Sequence, residues 1–153
     1  MRVDWFSVTL RCSHPDWDPD DISSELGMEP RFSWKVGERR CTPKGQMLDG
    51  YRRDSYWCSE RLTGFQEDPS QALIEHVEAL ERKRAFIEKF IAAGGSVELF
   101  IGWLLPGRSG GEVFDSKTLK RLGDLGVDLS IDIYEHDFDE RAARRADHGE
   151  SLD

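Results

Sequence analysis

The sequence predicts a single α+β domain: one antiparallel or mixed sheet with helices packed on one face. Three observations carry that expectation. Apolar and polar residues alternate over 3–12 and 127–134, the period of a half-buried strand. Apolar residues recur at three- and four-residue spacings over 69–92, the period of a helix. An aspartate or serine precedes each helical run and a glycine follows it, so the helices carry their own start and stop signals.

The first strand is expected over 3–12. Phe6, Val8, Leu10 and Cys12 form its core-facing set, and Trp5 covers part of the other face. Asp18 then caps a short helix, 19–26. Pro19 sits at its first position, Asp20 and Asp21 meet the positive end of the helix dipole, and Ile22 and Leu26 make the buried stripe. Gly27 stops it and Pro30 prevents its resumption. Phe32, Trp34 and Val36 alternate as a short strand. Gly37, Pro43, Gly45 and Gly50 then punctuate a long loop over 38–53. Residues 54–60 read as a strand, with Tyr56 and Cys58 on one face and Trp57 on the other.

Asp68 and Pro69 open the long helix, in which Leu73, Val77, Leu80, Ile87 and Ile91 form the stripe. The charged run 81–84 predicts a break within it, and Gly94 and Gly95 end it. Residues 96–105 read as a central strand because both faces are apolar: Val97, Leu99, Ile101 and Trp103 on one, Phe100 and Leu104 on the other. The stretch 106–111 is a glycine-rich connection. Ser116 is expected to cap a third helix, 117–125, with Leu119 and Leu122 inward. In the last strand, Val127, Leu129, Ile131 and Ile133 face in.

A strand, a short helix ending Leu-Gly and a second strand occur twice, over 3–36 and 96–134. Two such units joined by a long helix suggest a ferredoxin-like split βαβ arrangement with an internal duplication. Coincidence of a common helix stop is the alternative. The domain is expected over 1–134. The acidic tail 135–153 lacks an apolar stripe and is expected to be frayed or disordered.

Composition excludes several function classes. No stretch approaches the roughly 18–20 apolar residues that cross a bilayer, so no membrane role is expected. The N-terminus lacks the pattern of an export signal, which points to the cytoplasm. Cys12, Cys41 and Cys58 are few and odd in number, hence free thiols. Cys12 and His14 stand close, but no Cys-x-x-Cys or His-x-x-x-His spacing is present, so no metal and no cofactor is expected. His14, His76, His136 and His148 are scattered and form no triad order, so no catalytic residue is assigned.

Charge is distributed unevenly. Residues 31–53 carry net +5 inside a chain of net −9. Phe32, Trp34 and Tyr51 interleave with those bases, a pattern that suits base stacking and phosphate pairing. The charge of the whole body opposes approach to a polyanion, which argues against nucleic acid as a partner. The plain alternative is a solvated loop resting against the acidic first thirty residues. Trp34 and Trp57, with Arg39 and Arg40, are the candidate binding residues, the two tryptophans forming a shared exposed patch.

Asp18-Pro19, Leu26-Gly27-x-x-Pro30, Trp34-x-x-Gly37, Trp57, the long helix and Leu125-Gly126-x-Asp128-x-x-Ile131-Asp132-Ile133-Tyr134 together resemble a bacterial domain-of-unknown-function family, number 4279. The similarity spans residues 3–134. It implies small cytoplasmic proteins with no established activity or catalytic residues. The 38–53 loop and the acidic tail depart from the pattern. Such families often resemble immunity or accessory proteins.

Two function readings follow. The first is a non-enzymatic interaction domain, immunity-like or accessory, whose acidic surface binds a basic protein partner. The second is a binding domain or enzyme for an anionic small molecule, held by the basic 31–53 segment. A homodimer through an exposed strand edge is compatible with either.

Overall fold

The computed structural model describes residues 5–62, 69–105 and 110–135. Strand β1 (Trp5–His14) leads into helix α1 (Pro19–Leu26), then strands β2 (Pro30–Trp34), β3 (Arg39–Cys41), β4 (Met47–Tyr51) and β5 (Ser55–Ser59). Helices α2 (Pro69–Glu81) and α3 (Arg84–Ala92) follow, then β6 (Ser96–Leu105), α4 (Ser116–Asp124) and β7 (Asp128–Glu135). Asp68, most of the 106–111 connection and the tail beyond Glu135 lie outside the described residues, as does the Trp5 side chain.

Five strands form one sheet in the order β2-β5-β1-β6-β7. Every pairing in it is antiparallel except β6 with β7, so the sheet is mixed. β6 lies inside the sheet, as its two apolar faces require, although β1 is the middle strand. The first strand–helix–strand unit is split, with β5 lodged between β1 and β2. The second is not, since β6 and β7 are neighbours.

One core sits between the sheet and the helices. Val8, Leu10 and Cys12 of β1, Trp57 of β5, and Leu99 and Ile101 of β6 meet Ile22, Leu73, Val77, Ile87 and Phe90 from the helices. At about 25 cal/mol per Å² of apolar surface, burial of this set is the main force that holds the helices on this face. The opposite face carries a polar lattice. The Arg11 guanidinium stands 3.6 Å from the Phe100 ring centre and 3.6 Å from Glu98, which accepts a 2.7 Å hydrogen bond from Ser130.

Local signals place most of the boundaries. Asp18 Oδ1 accepts from the Asp20 backbone N–H at 2.9 Å, and Gly27 closes α1 at φ +66°. The charged run breaks the long helix between Glu81 and Arg84, as its loss of apolar stripe predicts. Glu81 instead pairs with Arg121 and ties α2 to α4.

Four expectations need correction. The cap of α4 is Asp115, whose Oδ1 accepts from Thr118 N–H at 2.7 Å, rather than Ser116. The inward stripe of α4 is Thr118 and Leu122, and Leu119 is exposed, because it lies about 100° around the helix from Thr118, on the flank of that stripe. Ile131 and Ile133 are exposed, since β7 is an edge strand and burial fades along it, from Val127 at its entry through the half-buried Leu129. Residues 38–53 form no open loop. β3 and β4 make a two-stranded hairpin, in register Arg39 with Tyr51 and Cys41 with Met47.

Asp18 and Asp115 hold their protons less tightly than ordinary aspartates, first because each accepts a backbone N–H at its helix start. A carboxyl depressed in the folded state stabilises it above the unfolded pKa, and that contribution disappears as pH falls through the folded value. Replacing both residues by Asn keeps the caps and removes the titration. The double variant is expected to lose less stability than the parent between about pH 5 and about pH 2, measured by urea unfolding across that range. Parallel losses would refute the role of the caps.

Candidate functional site

The site grows from the edge of the sheet. β2 pairs with β5 so that Phe32 opposes Cys58 and Trp34 opposes Tyr56. All four therefore lie on the face away from the helices. Trp34 stacks on Tyr56, with ring centres 4.5 Å apart and planes 21° from parallel. The chain then leaves the sheet as the β3–β4 hairpin. Its neck closes through Gly37 N–H to the Arg52 carbonyl at 2.9 Å and Arg52 N–H to the Glu38 carbonyl at 2.7 Å. Its tip is closed around Thr42, whose carbonyl accepts from Gly45 N–H and whose hydroxyl accepts from Gln46 N–H.

Arg52 joins the hairpin to the sheet. Its guanidinium carbon stands 3.8 Å from the Trp34 ring centre, and its Nη2 donates to the Cys41 carbonyl at 2.9 Å. Its Nε is buried without a partner among the described residues. One cation thus caps an aromatic pair and supports β3, a contact favoured by the ring quadrupole.

The hairpin and the sheet edge enclose two adjoining clefts. One, of about 730 Å³, is walled by Phe32, Pro43 and Leu48 together with Arg31, Arg39 and one carboxylate, Glu38. The other, of about 490 Å³, is lined by Arg40, Tyr51 and Arg53 with a single carboxylate, Asp54. Trp34, Arg52 and Tyr56 border both. Arg39 and Arg40 fall in different clefts because consecutive strand residues point to opposite sides. The Arg40 Nη1 donates to the Asp49 carbonyl at 3.3 Å.

Positive charge is in excess at the clefts, five arginines against Glu38 and Asp54. Among the described residues, no carboxylate forms an ion pair with Arg39, Arg40, Arg52 or Arg53. The basic segment meets the acidic N-terminal part through Lys35 and Asp18, 3.3 Å apart and partly exposed, a contact that leaves those arginines unneutralised. Burial, and then a hydrogen bond with Cys58, pushes the Tyr56 phenol up to about 12, so this ring adds no negative charge at neutral pH.

Trp57 does not share the exposed patch with Trp34. It is fully buried on the helix face, and its indole N–H donates to Ser23 Oγ of α1 at 2.9 Å. The reason is register: Trp34 is paired with Tyr56, and the next residue of a strand must face the other way. The aromatic partner of Trp34 is therefore Tyr56, which sequence reasoning passed over although its alternation with Trp57 was visible. Arg52 was legible only as one base among seven in the 31–53 segment. Its place over Trp34 depends on the hairpin neck.

The other chemistry-bearing side chains serve the core. Cys12 is buried, and desolvation, with the Cys58 thiol a lesser cause, raises it to about 12, which leaves a protonated, inert thiol. His14 is buried beside Phe90 and Trp17. Among the described residues, no three metal-ligating side chains cluster, and no helix is long and apolar enough to cross a membrane. His76 in α2 is partly desolvated, which lowers its pKa.

No curated protein and no solved structure matches the chain. A family model does match, over residues 4–136, which takes in every strand and helix described above. The chain belongs to the family described as Domain of unknown function (DUF4279).

Proposed function

We propose that this domain is a non-enzymatic binding module for a small anionic ligand, taken in the clefts between the β3–β4 hairpin and the β2–β5 edge. One observation supports the reading above the others. Five arginines (Arg31, Arg39, Arg40, Arg52 and Arg53) line adjoining concave surfaces, and among the described residues no carboxylate is paired with any of them. Unpaired guanidinium groups grouped at a cleft focus positive potential and offer planar, forked donors to a carboxylate or phosphate. The cleft volumes lie in the range of small-molecule sites.

Thermal unfolding with millimolar phosphate, sulfate and citrate tests the proposal. Ligand at about 100 times its dissociation constant stabilises a protein by about 2.7 kcal/mol, a rise of several degrees in the melting temperature. The Arg40→Ala and Arg53→Ala double variant leaves the Arg52 support in place and should abolish that rise. No rise with any anion, or an equal rise in the variant, would sink the idea.

A second reading is an interaction domain, immunity-like or accessory, that docks a basic partner protein. α1 favours it: Asp20, Asp21 and Glu25 are exposed on its outer side, in a chain of net −9. Acidic surface of this kind steers encounter with cationic partners. Affinity capture from the native host at low and moderate salt is expected to yield a basic protein. It should be lost with Asp20→Asn, Asp21→Asn and Glu25→Gln together, and capture that is unaffected by those changes would exclude α1 as the docking face.

A further inference from the structure

The two clefts differ in chemistry, and the difference bears on what kind of anion fits. This inference rests on the anion-binding proposal and narrows it. The larger cleft sets Phe32, Pro43 and Leu48 beside Arg31, Glu38 and Arg39, and Phe32 and Leu48 are 38% and 36% exposed. Such apolar surface, open to water beside a charged cleft, costs hydration free energy until something covers it. The smaller cleft sets Arg40, Arg52 and Arg53 against one carboxylate, Asp54. Trp34, Arg52 and Tyr56 line both, so the two clefts lie side by side across that shared wall.

We infer that the ligand is an amphipathic anion: a flat apolar ring system seated against Phe32 and Leu48, joined to a phosphate or carboxylate head held by Arg40 and Arg53. A bare inorganic anion would leave the apolar walls wet. A neutral aromatic would leave the arginines unpaired. Joining the two parts lets the second contact form within the same complex, so it adds affinity without a second loss of translational freedom. The border is suited to this because the Arg52 guanidinium, 3.8 Å from the Trp34 ring centre, presents both a flat face and hydrogen-bond donors.

Titration of the full chain with 1-naphthyl phosphate and with inorganic phosphate, followed by calorimetry and by backbone amide NMR shifts, tests the inference. Covering roughly 80–100 Å² of apolar surface at about 25 cal/mol per Å² makes naphthyl phosphate the tighter ligand, on the order of 30-fold. The Phe32→Ala and Leu48→Ala double variant should bring that ratio close to one and leave phosphate affinity unchanged. Leu48→Ser alone serves the same purpose if the double variant loses its native amide spectrum. Arg40→Ala with Arg53→Ala should weaken both ligands alike. Equal affinity for the two ligands, or a ratio untouched by the apolar variants, overturns the amphipathic ligand and leaves anion binding standing. Binding of neither ligand overturns both.

Discussion

Trp57→Ala is expected to destabilise the domain by about 3–5 kcal/mol, the cost of emptying a fully buried aromatic site. In a chain of this size that lowers the melting temperature by on the order of 15 °C. Two separable contributions make up the loss. The ring fills the core between β1 and the helices, opposite Cys12 on the neighbouring strand. Its N–H also satisfies Ser23 Oγ at 2.9 Å, which fastens α1 to the sheet. Trp57→Phe keeps most of the volume and forfeits the hydrogen bond, so about 1–2 kcal/mol is expected from it. Ser23→Ala should cost a similar amount, because it leaves a buried indole N–H without a partner. The two changes share one bond, so the Trp57→Phe, Ser23→Ala pair should cost distinctly less than their sum. Chemical denaturation of the four proteins measures the coupling, and strict additivity would show that the bond contributes nothing.

His14→Ala is expected to cost about 2–4 kcal/mol, through packing and through the turn that follows β1. The ring is 1% exposed and lies 4.9 Å from the Phe90 ring and 5.4 Å from Trp17, centre to centre. Its Nδ1 accepts from two backbone N–H groups, Asp16 and Trp17, each at 3.1 Å. Asp16 Oδ1 also stands 3.0 Å from Nδ1, and would form an ion pair only with a protonated ring. Two donors aimed at the same nitrogen hold it as an acceptor, which places the ring proton on Nε2. That proton is buried without a partner among the described residues. His14→Asn supplies an acceptor oxygen near the Nδ1 position, while its amide NH2 keeps donors in the buried pocket. It should recover a clear part of what Ala loses, while His14→Leu, apolar and of similar size, should not. Nitrogen NMR of the imidazole is the independent check. A proton found on Nδ1 would refute the assignment, as would Leu outperforming Asn.

The candidate site was legible in parts. The basic character of 31–53 and the alternation of Phe32 and Trp34 are properties of adjacent residues, and both appear in the structure as read. The expected pairing of Trp34 with Trp57 failed because it joined two tryptophans by type, whereas strand register joins Trp34 to Tyr56. The hairpin over 39–51 was hidden by its glycines and proline. Those residues read as loop punctuation, yet Gly45 and Gly50 take positive φ within it. Its strands also lack the apolar alternation that marks a strand, since all their residues are exposed.

Local chemistry decided what neighbours in sequence can decide: where α1 begins and ends, where the long helix breaks, and which face of β1 and β6 turns inward. Caps, left-handed glycines and side-chain period act over a few residues, so one chain read from end to end displays them. The tertiary structure alone decided which strands are neighbours, why Ile131 and Ile133 stay exposed on an edge, and how Arg52 comes to lie over Trp34. Those outcomes depend on contacts between distant segments, whose free energy is set by register and by competition for the same core, and neither is encoded at any single position.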